Sequence, residues 1–345
     1  MSLNGTIERR KRRWRDFFDR SSSPRHMFLI RYSDTEIGPR PWPHPDKVRE
    51  RIEWSWRQYQ AQRARAEWLD DDSVPFLDVF TGTEIFAQAF GCDVHRPDDN
   101  MPSARSLITE PCQVAGLRAP DLDTPCLAVL FAMADELRRR AGADALVRLP
   151  DIQSPIDIAA LIWDKSHFYV GMIQAPEAVK ELADKTRALL VTFTDAWYAR
   201  YGTEFMSHHP DYYMPRGFTL SEDEVGAVSA DMFAEFFLPH LAALSERYGG
   251  LGIHCCARSR HQWENFARIP HLRLLQLNQP VEVLRDAYTY FAPHCAQMHG
   301  WYGEEGETEA WLAALPAGSR VVLQVDAKTR DEALALSETY RAACA

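Results

Sequence analysis

The sequence has 345 residues, of which 46% are hydrophobic and 26% are charged, a composition typical of folded globular proteins. The net charge of −10 argues against a nucleic-acid-binding protein, which would normally carry a basic face. The apolar runs are too short to span a bilayer, and the N-terminal region lacks the apolar core of a signal peptide. The seven cysteines have no regular spacing, so we expect reduced thiols and a cytoplasmic protein.

A basic run, Arg9–Arg13, lies near the N-terminus and precedes several aromatic residues. Such a run could bind nucleic acid or an anionic surface, but the rest of the chain is acidic, so we interpret it as a solvated helix face. Phe17 and Phe18 would dock this helix onto the body of the protein. We therefore expect residues 1–24 to form a basic helical extension and residues 25–345 to form a single domain.

From residue 25 onward, short β-type apolar runs alternate with amphipathic stretches. Eight runs have the pattern of strands: His26–Tyr32, Pro75–Phe80, Ala145–Leu149, Gly217–Leu220, Leu251–Cys255, Leu272–Leu277, Ala296–Trp301 and Arg320–Val325. Helical stretches include Asp46–Glu67, Cys126–Ala141, Pro176–Arg200, Ala230–Arg247 and Arg330–Ala343. Eight strands that alternate with helices predict an α/β fold, a (β/α)8 TIM barrel. A doubly wound open sheet is the alternative, but no Gly-rich phosphate-binding fingerprint follows an early strand.

Active sites of such barrels form at the carboxyl ends of the strands. The residues that follow the predicted strands are strongly polar and acidic, which suits a cleft that holds a metal or a hydrogen-bonding substrate. We expect eight residues to converge there around one deep pocket: Tyr32, Glu84, Gln153, Glu222, His254, Asn278, His299 and Asp326. The catalytic candidates are Glu222, Tyr32, Gln153 and His299, and the substrate-binding candidates are Glu84, Asp151, Asn278 and Tyr302.

One stretch, Leu251–Ala257, has the pattern of a buried strand that ends in three soft ligands. Residues two apart on a strand point to the same side, so His254 and Cys256 should face the cleft and Cys255 should face a helix. A His and a Cys side by side could hold Zn²⁺ if a third ligand comes from elsewhere. Alternatively, the cysteines are small core residues and His254 is a hydrogen-bonded core or substrate-contacting histidine.

Several segments, in order, resemble signatures of the uroporphyrinogen decarboxylase superfamily. The match runs from about Pro75 to the C-terminus, and the His254-Cys-Cys segment is similar to the family's His-x-Cys segment. The other segments are Phe86–Val94, Arg96–Asn100, Ser154–Leu161, Gln174–Val179 and Ser229–Pro239. The resemblance implies a (β/α)8 barrel of the type that this superfamily shares with methionine synthase, which agrees with the strand count.

Decarboxylases of this superfamily remove carboxylates from the acetate arms of a tetrapyrrole without a cofactor. They carry an Arg-rich loop near the N-terminus, whereas this sequence has Ser33–Glu36 after the first strand, and Thr81–Glu84 stands in place of their cleft Asp. A tetra-acidic substrate also needs several Arg or Lys residues, and the predicted rim is acidic. A cofactor-free decarboxylase of uroporphyrinogen or a smaller acid is therefore our alternative interpretation.

The corrinoid-linked methyltransferases of the superfamily hold Zn²⁺ with His-x-Cys and a later Cys. His254 and Cys256 match the first two ligands, and Asp326 at the end of the eighth strand could replace the third, with Glu222 and His299 as other candidates. The resemblance implies a zinc-assisted methyltransferase that uses a small-molecule substrate and cobalamin or a corrinoid protein as methyl carrier. A homodimer, and a diverged barrel without activity, stay open.

Overall fold

The computed structural model describes residues 2–21, 23–32, 37–304 and 306–344. The loop Ser33–Glu36, which we compared with the decarboxylase loop, lies outside these residues. No helix in the described part of the chain is long and apolar enough to cross a membrane.

Each of the eight predicted strand segments contains a strand, and two antiparallel hairpins add four short ones. The strands are β1 (Met27–Tyr32), β2 (Phe76–Leu77), β3 (Val94–His95), β4 (Ser103–Ala104), β5 (Leu146–Val147), β6 (Phe205–Met206), β7 (Tyr213–Met214), β8 (Phe218–Ser221), β9 (Leu251–Cys255), β10 (Leu272–Leu277), β11 (Ala296–Gln297) and β12 (Val322–Ala327). The hairpins are β3–β4 and β6–β7. Because neither hairpin shows a long alternating pattern, the sequence did not predict them.

The predicted helical stretches are confirmed: the first four lie between parallel strands and the last one follows β12. The helices are α1 (Leu3–Phe18), α2 (Val48–Arg65), α3 (Ile85–Ala89), α4 (Pro125–Ala141), α5 (Pro155–Ile162), α6 (Lys165–Gln174), α7 (Pro176–Tyr201), α8 (Ala230–Met232), α9 (Leu238–Tyr248), α10 (Trp263–Ala267), α11 (Val281–Tyr290), α12 (Thr308–Ala314) and α13 (Arg330–Ala343). A π-helical turn, Phe233–Phe237, joins α8 to α9.

The eight parallel strands are joined in chain order, as in a (β/α)8 barrel. Strand β2 pairs with β5, strands β8 to β11 form one four-stranded sheet, and β12 pairs with β1. Single parallel bridges join these pieces, from Gln153 to Ser221 and from Gln297 to Val321. Within the described ranges no strand pairing connects β1 to β2, so the complete closure predicted from the sequence is not found.

Buried carboxylates satisfy the edge of β1 that has no neighbouring strand. The amide of Phe28 donates to Asp72 Oδ2 at 3.1 Å, and Asp71 accepts from a second β1 amide in the same way. The other oxygen of Asp72 accepts from Arg13 Nε at 2.8 Å and from Arg341 at 3.0 Å. Asp72 therefore ties helices α1 and α13 to the first strand, and its side chain is fully buried.

Helix α1 closes the end of the barrel at which the strands begin. Its residues Trp14, Phe17 and Phe18 are buried in the main core, as the aromatic side chains after the basic run predict. Arg273, in β10, donates to the carbonyl of Phe18 at 3.4 Å, and Arg320, just before β12, lies over the ring of Phe17. The opposite end, where the strands finish, is left for a functional site.

The role of Asp72 can be tested by removing its carboxylate. We expect Asp72→Ala to lower the free energy of unfolding by about 3 kcal/mol or more, because two guanidinium groups and a strand amide lose a buried partner. Asp326→Ala is the matched control, because Asp326 pairs with Arg31 at an exposed position and such pairs contribute at most about 1 kcal/mol. Denaturant unfolding measures both, and equal losses would contradict this role.

Candidate functional site

Three potential metal ligands meet at the carboxyl ends of β8 and β9. Ligand atoms of Asp223, His254 and Cys256 all lie within 4.8 Å of one another. The parallel pairing of the two strands places Ser221 beside His254, so the segments that leave both strands run next to each other. One nitrogen, one sulfur and one oxygen donor form the kind of three-ligand set that catalytic zinc uses, with a fourth position left for substrate.

Hydrogen bonds orient each of these groups. Nδ1 of His254 contacts Oε1 of Gln276 on β10, and because an amide oxygen only accepts, Nδ1 carries the proton. Nε2 therefore keeps its lone pair for a metal. The amide of Cys256 donates to Asp223 Oδ1 at 2.7 Å, which holds that carboxylate against the segment after β9.

A buried pair of carboxyl groups supports the segment that carries Asp223. Asp157, in the first turn of α5, accepts hydrogen bonds from the amides of Asp223 at 2.7 Å and Glu224 at 3.1 Å. Glu222 is fully buried beside it. Burial raises the pKa of Asp157 to about 7, and burial together with the charge of Asp157 raises the pKa of Glu222 further. Glu222 is thus the member that holds a proton, and it supports the loop as a neutral acid.

The electrostatics of the cluster favour a cation. Partial burial, followed by a hydrogen bond with Asp223 and then the charge of Asp223, raises the pKa of the Cys256 thiol to about 12. Burial also lowers the pKa of His254, so the imidazole is neutral. A divalent cation would displace the thiol proton and offset the carboxylate charge, which is how thiolate metal sites form.

The β6–β7 hairpin brings two further histidines beside the cluster. The ring of His209 packs edge-on against His254, with centroids 4.3 Å apart. The ring of His208 stacks on Phe80, and its Nδ1 lies 3.6 Å from Asp151 Oδ1. Burial lowers the pKa of His208 far below its ordinary value, and burial raises the pKa of Asp151 to about 7. Asp151 can therefore exchange a proton near neutral pH, whereas His208 stays neutral there.

The same hairpin fills space below His254. The ring of Tyr212 is buried and lies 6.3 Å from the ring of Trp14 on α1. Its hydroxyl occupies the position that a Cβ on Gly252 would need. Gly252 and His254 share one face of β9, so Tyr212 packs directly below the histidine, and only glycine leaves room for it.

Comparisons with known proteins identify the family of this fold. The profile of the uroporphyrinogen decarboxylase (URO-D) family matches residues 76–295. The chain belongs to the URO-D family. A methyltransferase from Methanosarcina mazei has the same fold, with a TM-score of 0.67 and 11% sequence identity over 96% of this chain and 99% of that one. No curated protein sequence gives a significant match.

In this URO-D family member, Asp326 and Tyr302 lie away from the cluster of donor atoms. Asp326 forms a two-point ion pair with Arg31, at 2.8 and 2.7 Å, and its side chain is 69% exposed. Tyr302 lies close enough to this pair for both charges to affect its pKa, which burial raises. Among the described residues, the carboxylate that joins His254 and Cys256 is that of Asp223, so the structure does not place Asp326 as the third ligand.

Tyr32 and His299 do not face the cleft as predicted. The Tyr32 ring packs on Trp68 in the outer layer, at 5.8 Å, because it shares the outward face of β1. Both nitrogens of His299 are engaged: Nδ1 accepts from the amide of Leu277 and Nε2 bonds Gln297 Oε1, each at 3.0 Å. Burial lowers the pKa of His299 to about 3. It is a core histidine that joins strands, so a catalytic role is not supported.

Four other candidates lie at or near the strand ends. Asn278 is exposed on the rim, and its backbone amide donates to the carbonyl of Cys255 at 3.0 Å. Gln153 is bridged to β8, and its Oε1 is buried without a hydrogen-bond partner in the described residues. The amide of Asp151 donates to Thr81 Oγ1. Glu84 lines a separate cavity in the helical layer.

Sequence reasoning missed the supporting residues Asp157, His208 and Gln276. It did not single out Asp223, which follows Glu222 after the fourth predicted strand. The adjacent acids Glu222 and Asp223 were a usable signal, because two neighbouring residues of an extended segment point in opposite directions. No pattern showed which of the two faces His254.

The contact between Tyr212 and Gly252 gives a direct test of the packing below the candidate site. We expect Gly252→Ala to lower the free energy of unfolding by about 1–3 kcal/mol, because the added methyl group collides with a buried hydroxyl. Adding Tyr212→Phe should recover part of this loss, since it removes that hydroxyl. Gly300→Ala is the matched control, with nothing within 4 Å of the new atom. Purely additive effects in the double variant would rule out the collision.

Proposed function

We propose that this protein is a zinc-assisted methyltransferase that works with a corrinoid (cobalamin) methyl carrier and a small-molecule acceptor. The convergence of Asp223, His254 and Cys256 carries the proposal. Membership of the URO-D family and the shared fold with a methyltransferase support it.

Zinc fits the residues present. Bonds of about 2.0–2.3 Å at tetrahedral angles separate donor atoms by roughly 3.5 Å, which is compatible with a group contained within 4.8 Å. Asp223, His254 and Cys256 would hold the ion and leave one position open. Zinc bound there would lower the pKa of a thiol, or an equivalent acceptor, and make it nucleophilic at neutral pH.

The residues of the chain prepare this site in three ways. Gln276 fixes the tautomer of His254, and the amide of Cys256 orients Asp223. Cys256 is exposed at the rim, which suits a site that a methyl group on another protein must reach. Asp151, with a pKa near 7 and His208 beside it, is suited to take the proton that the acceptor releases.

We also propose that residues 25–345 form one complete barrel with residues 1–24 as its extension. The carboxylates of Asp71 and Asp72 would close the β1–β2 gap in place of backbone pairing. All seven cysteines are free, in keeping with the reduced thiols that a cytoplasmic location predicts.

The zinc content of variants distinguishes Asp223 from Asp326 as the third ligand beside His254 and Cys256. We expect about one zinc per chain in the purified protein, and loss of zinc in Cys256→Ala and Asp223→Ala. Cys255→Ala and Asp326→Ala are matched controls that should keep the metal, because Cys255 is buried and Asp326 pairs with Arg31. Affinity should fall as the buffer is acidified, since protons compete for the ligands. Loss of zinc in Asp326→Ala but not in Asp223→Ala would support the original ligand prediction instead.

Turnover distinguishes the methyltransferase from the alternatives. The zinc-loaded protein should demethylate methylcobalamin in the presence of a small thiol, and Asp223→Ala should not. Removal of carbon dioxide from uroporphyrinogen in metal-free buffer would favour the decarboxylase. A protein that holds zinc but converts neither substrate would argue for a barrel without activity.

A further inference from the structure

A second cavity lies in the helical layer between α2, α3 and α4. Its volume is about 210 Å³, and none of the three candidate metal ligands lines it. Apolar side chains form much of the wall, including those of Val48, Ile85, Val129 and Leu130. A cavity of this size suits a molecule of about eight non-hydrogen atoms, smaller than most drug-sized ligands.

The polar groups of this cavity are incompletely satisfied. Glu84 is only 2% exposed, and its Oε2 has no hydrogen-bond partner among the described residues. Nε of Arg96 is also buried without a partner in the same part of the chain, although its Nη2 donates to Gln88 Oε1 at 3.0 Å. Buried polar atoms without partners are costly, so an acceptor group bound beside Arg96 and Glu84 would be stabilised.

The charges around Glu84 favour an anion. Arg51 and Arg96 both line the cavity and both act on the Glu84 carboxyl. Burial nevertheless raises the pKa of Glu84 to about 7, so below that pH the wall carries two guanidinium groups and a neutral acid. The charge of Asp151 interacts with Glu84 from the cleft side, and the Cys126 thiol on α4, whose pKa burial raises to about 11, is neutral.

We propose that this cavity binds a small aliphatic monocarboxylate, whose charged group lies between Arg96 and the protonated carboxyl of Glu84. The guanidinium supplies a charge-assisted hydrogen bond, and the neutral acid donates a second one. The aliphatic chain would contact Val129 and Leu130. This inference does not depend on the proposed methyl transfer.

Calorimetry with hexanoate tests the proposal. Hexanoate is ionised throughout pH 6–8, so the pH dependence of its affinity reports on the protein. Since binding needs protonated Glu84, and its pKa is about 7, the affinity should fall about tenfold from pH 6 to pH 8. Glu84→Gln should keep binding and lose this pH dependence. Hexylamine should bind at least tenfold more weakly than hexanoate, and tighter binding of the amine would overturn the proposal.

Variants of the arginines locate the bound group. Arg96→Met should weaken hexanoate binding by at least tenfold, whereas Arg105→Met, at an exposed position of the same segment, should not. Cys256→Ala should bind hexanoate normally, and loss of binding there would place the ligand in the cleft and contradict the proposal.

Thiol labelling gives an independent readout that needs no variant. Hexanoate should slow alkylation of Cys126, which lines the cavity, and leave alkylation of exposed Cys112 unchanged. Unprotected Cys126 at saturating hexanoate, measured by peptide mass, would overturn the assignment to this cavity.

Discussion

The two hydrogen bonds that Asp157 accepts determine the geometry of the candidate metal centre. They fix the backbone after β8, together with the amide of Glu222, which donates to the carbonyl of His254 at 2.8 Å. The segment then turns so that Asp223 receives the amide of Cys256. Glu222, one residue earlier, points instead into the buried space beside Asp157. A carboxylate at the start of α5 therefore decides which of two adjacent acids faces His254 and Cys256, and the helix N-terminus favours its negative charge.

The β6–β7 hairpin contributes both to the packing of the barrel interior and to the candidate site. The β6–β7 hairpin fills space that strand side chains fill in simpler barrels, and Tyr212 extends from near helix α1 to the face of β9 that carries His254. The same hairpin places His208 and His209 beside the cleft. A change that loosens the packing around Gly252 would therefore move both the candidate ligand and the neighbouring histidines.

Strand periodicity predicted the eight parallel strands and placed His254 and Cys256 on one side of the chain, and the ligand atoms of these two residues lie in one cluster. The same periodicity misplaced Asp326, because β12 continues to Ala327 instead of ending at Val325, and Arg31 on the paired strand β1 takes the Asp326 carboxylate. His299 follows a strand and has the right chemistry, but Leu277 on β10 and Gln297 on β11 use both of its nitrogens. Residue type and spacing do not reveal the bond to Leu277, since that residue is distant in sequence. The β6–β7 hairpin was missed for a different reason: its strands have two residues each and no measurable period.

One electrostatic contact, between Asp151 and Glu84, links the cleft at the strand ends with the cavity in the helical layer. Asp151 in the cleft has its pKa raised by burial and then by the charge of Glu84, and its amide donates to Thr81 Oγ1, three residues before Glu84. A carboxylate ligand beside Arg96 would keep Glu84 protonated, but it would bring a negative charge of its own into the cavity. The acid–base balance of the cleft therefore depends on the total charge held beside Arg96 and not on Glu84 alone.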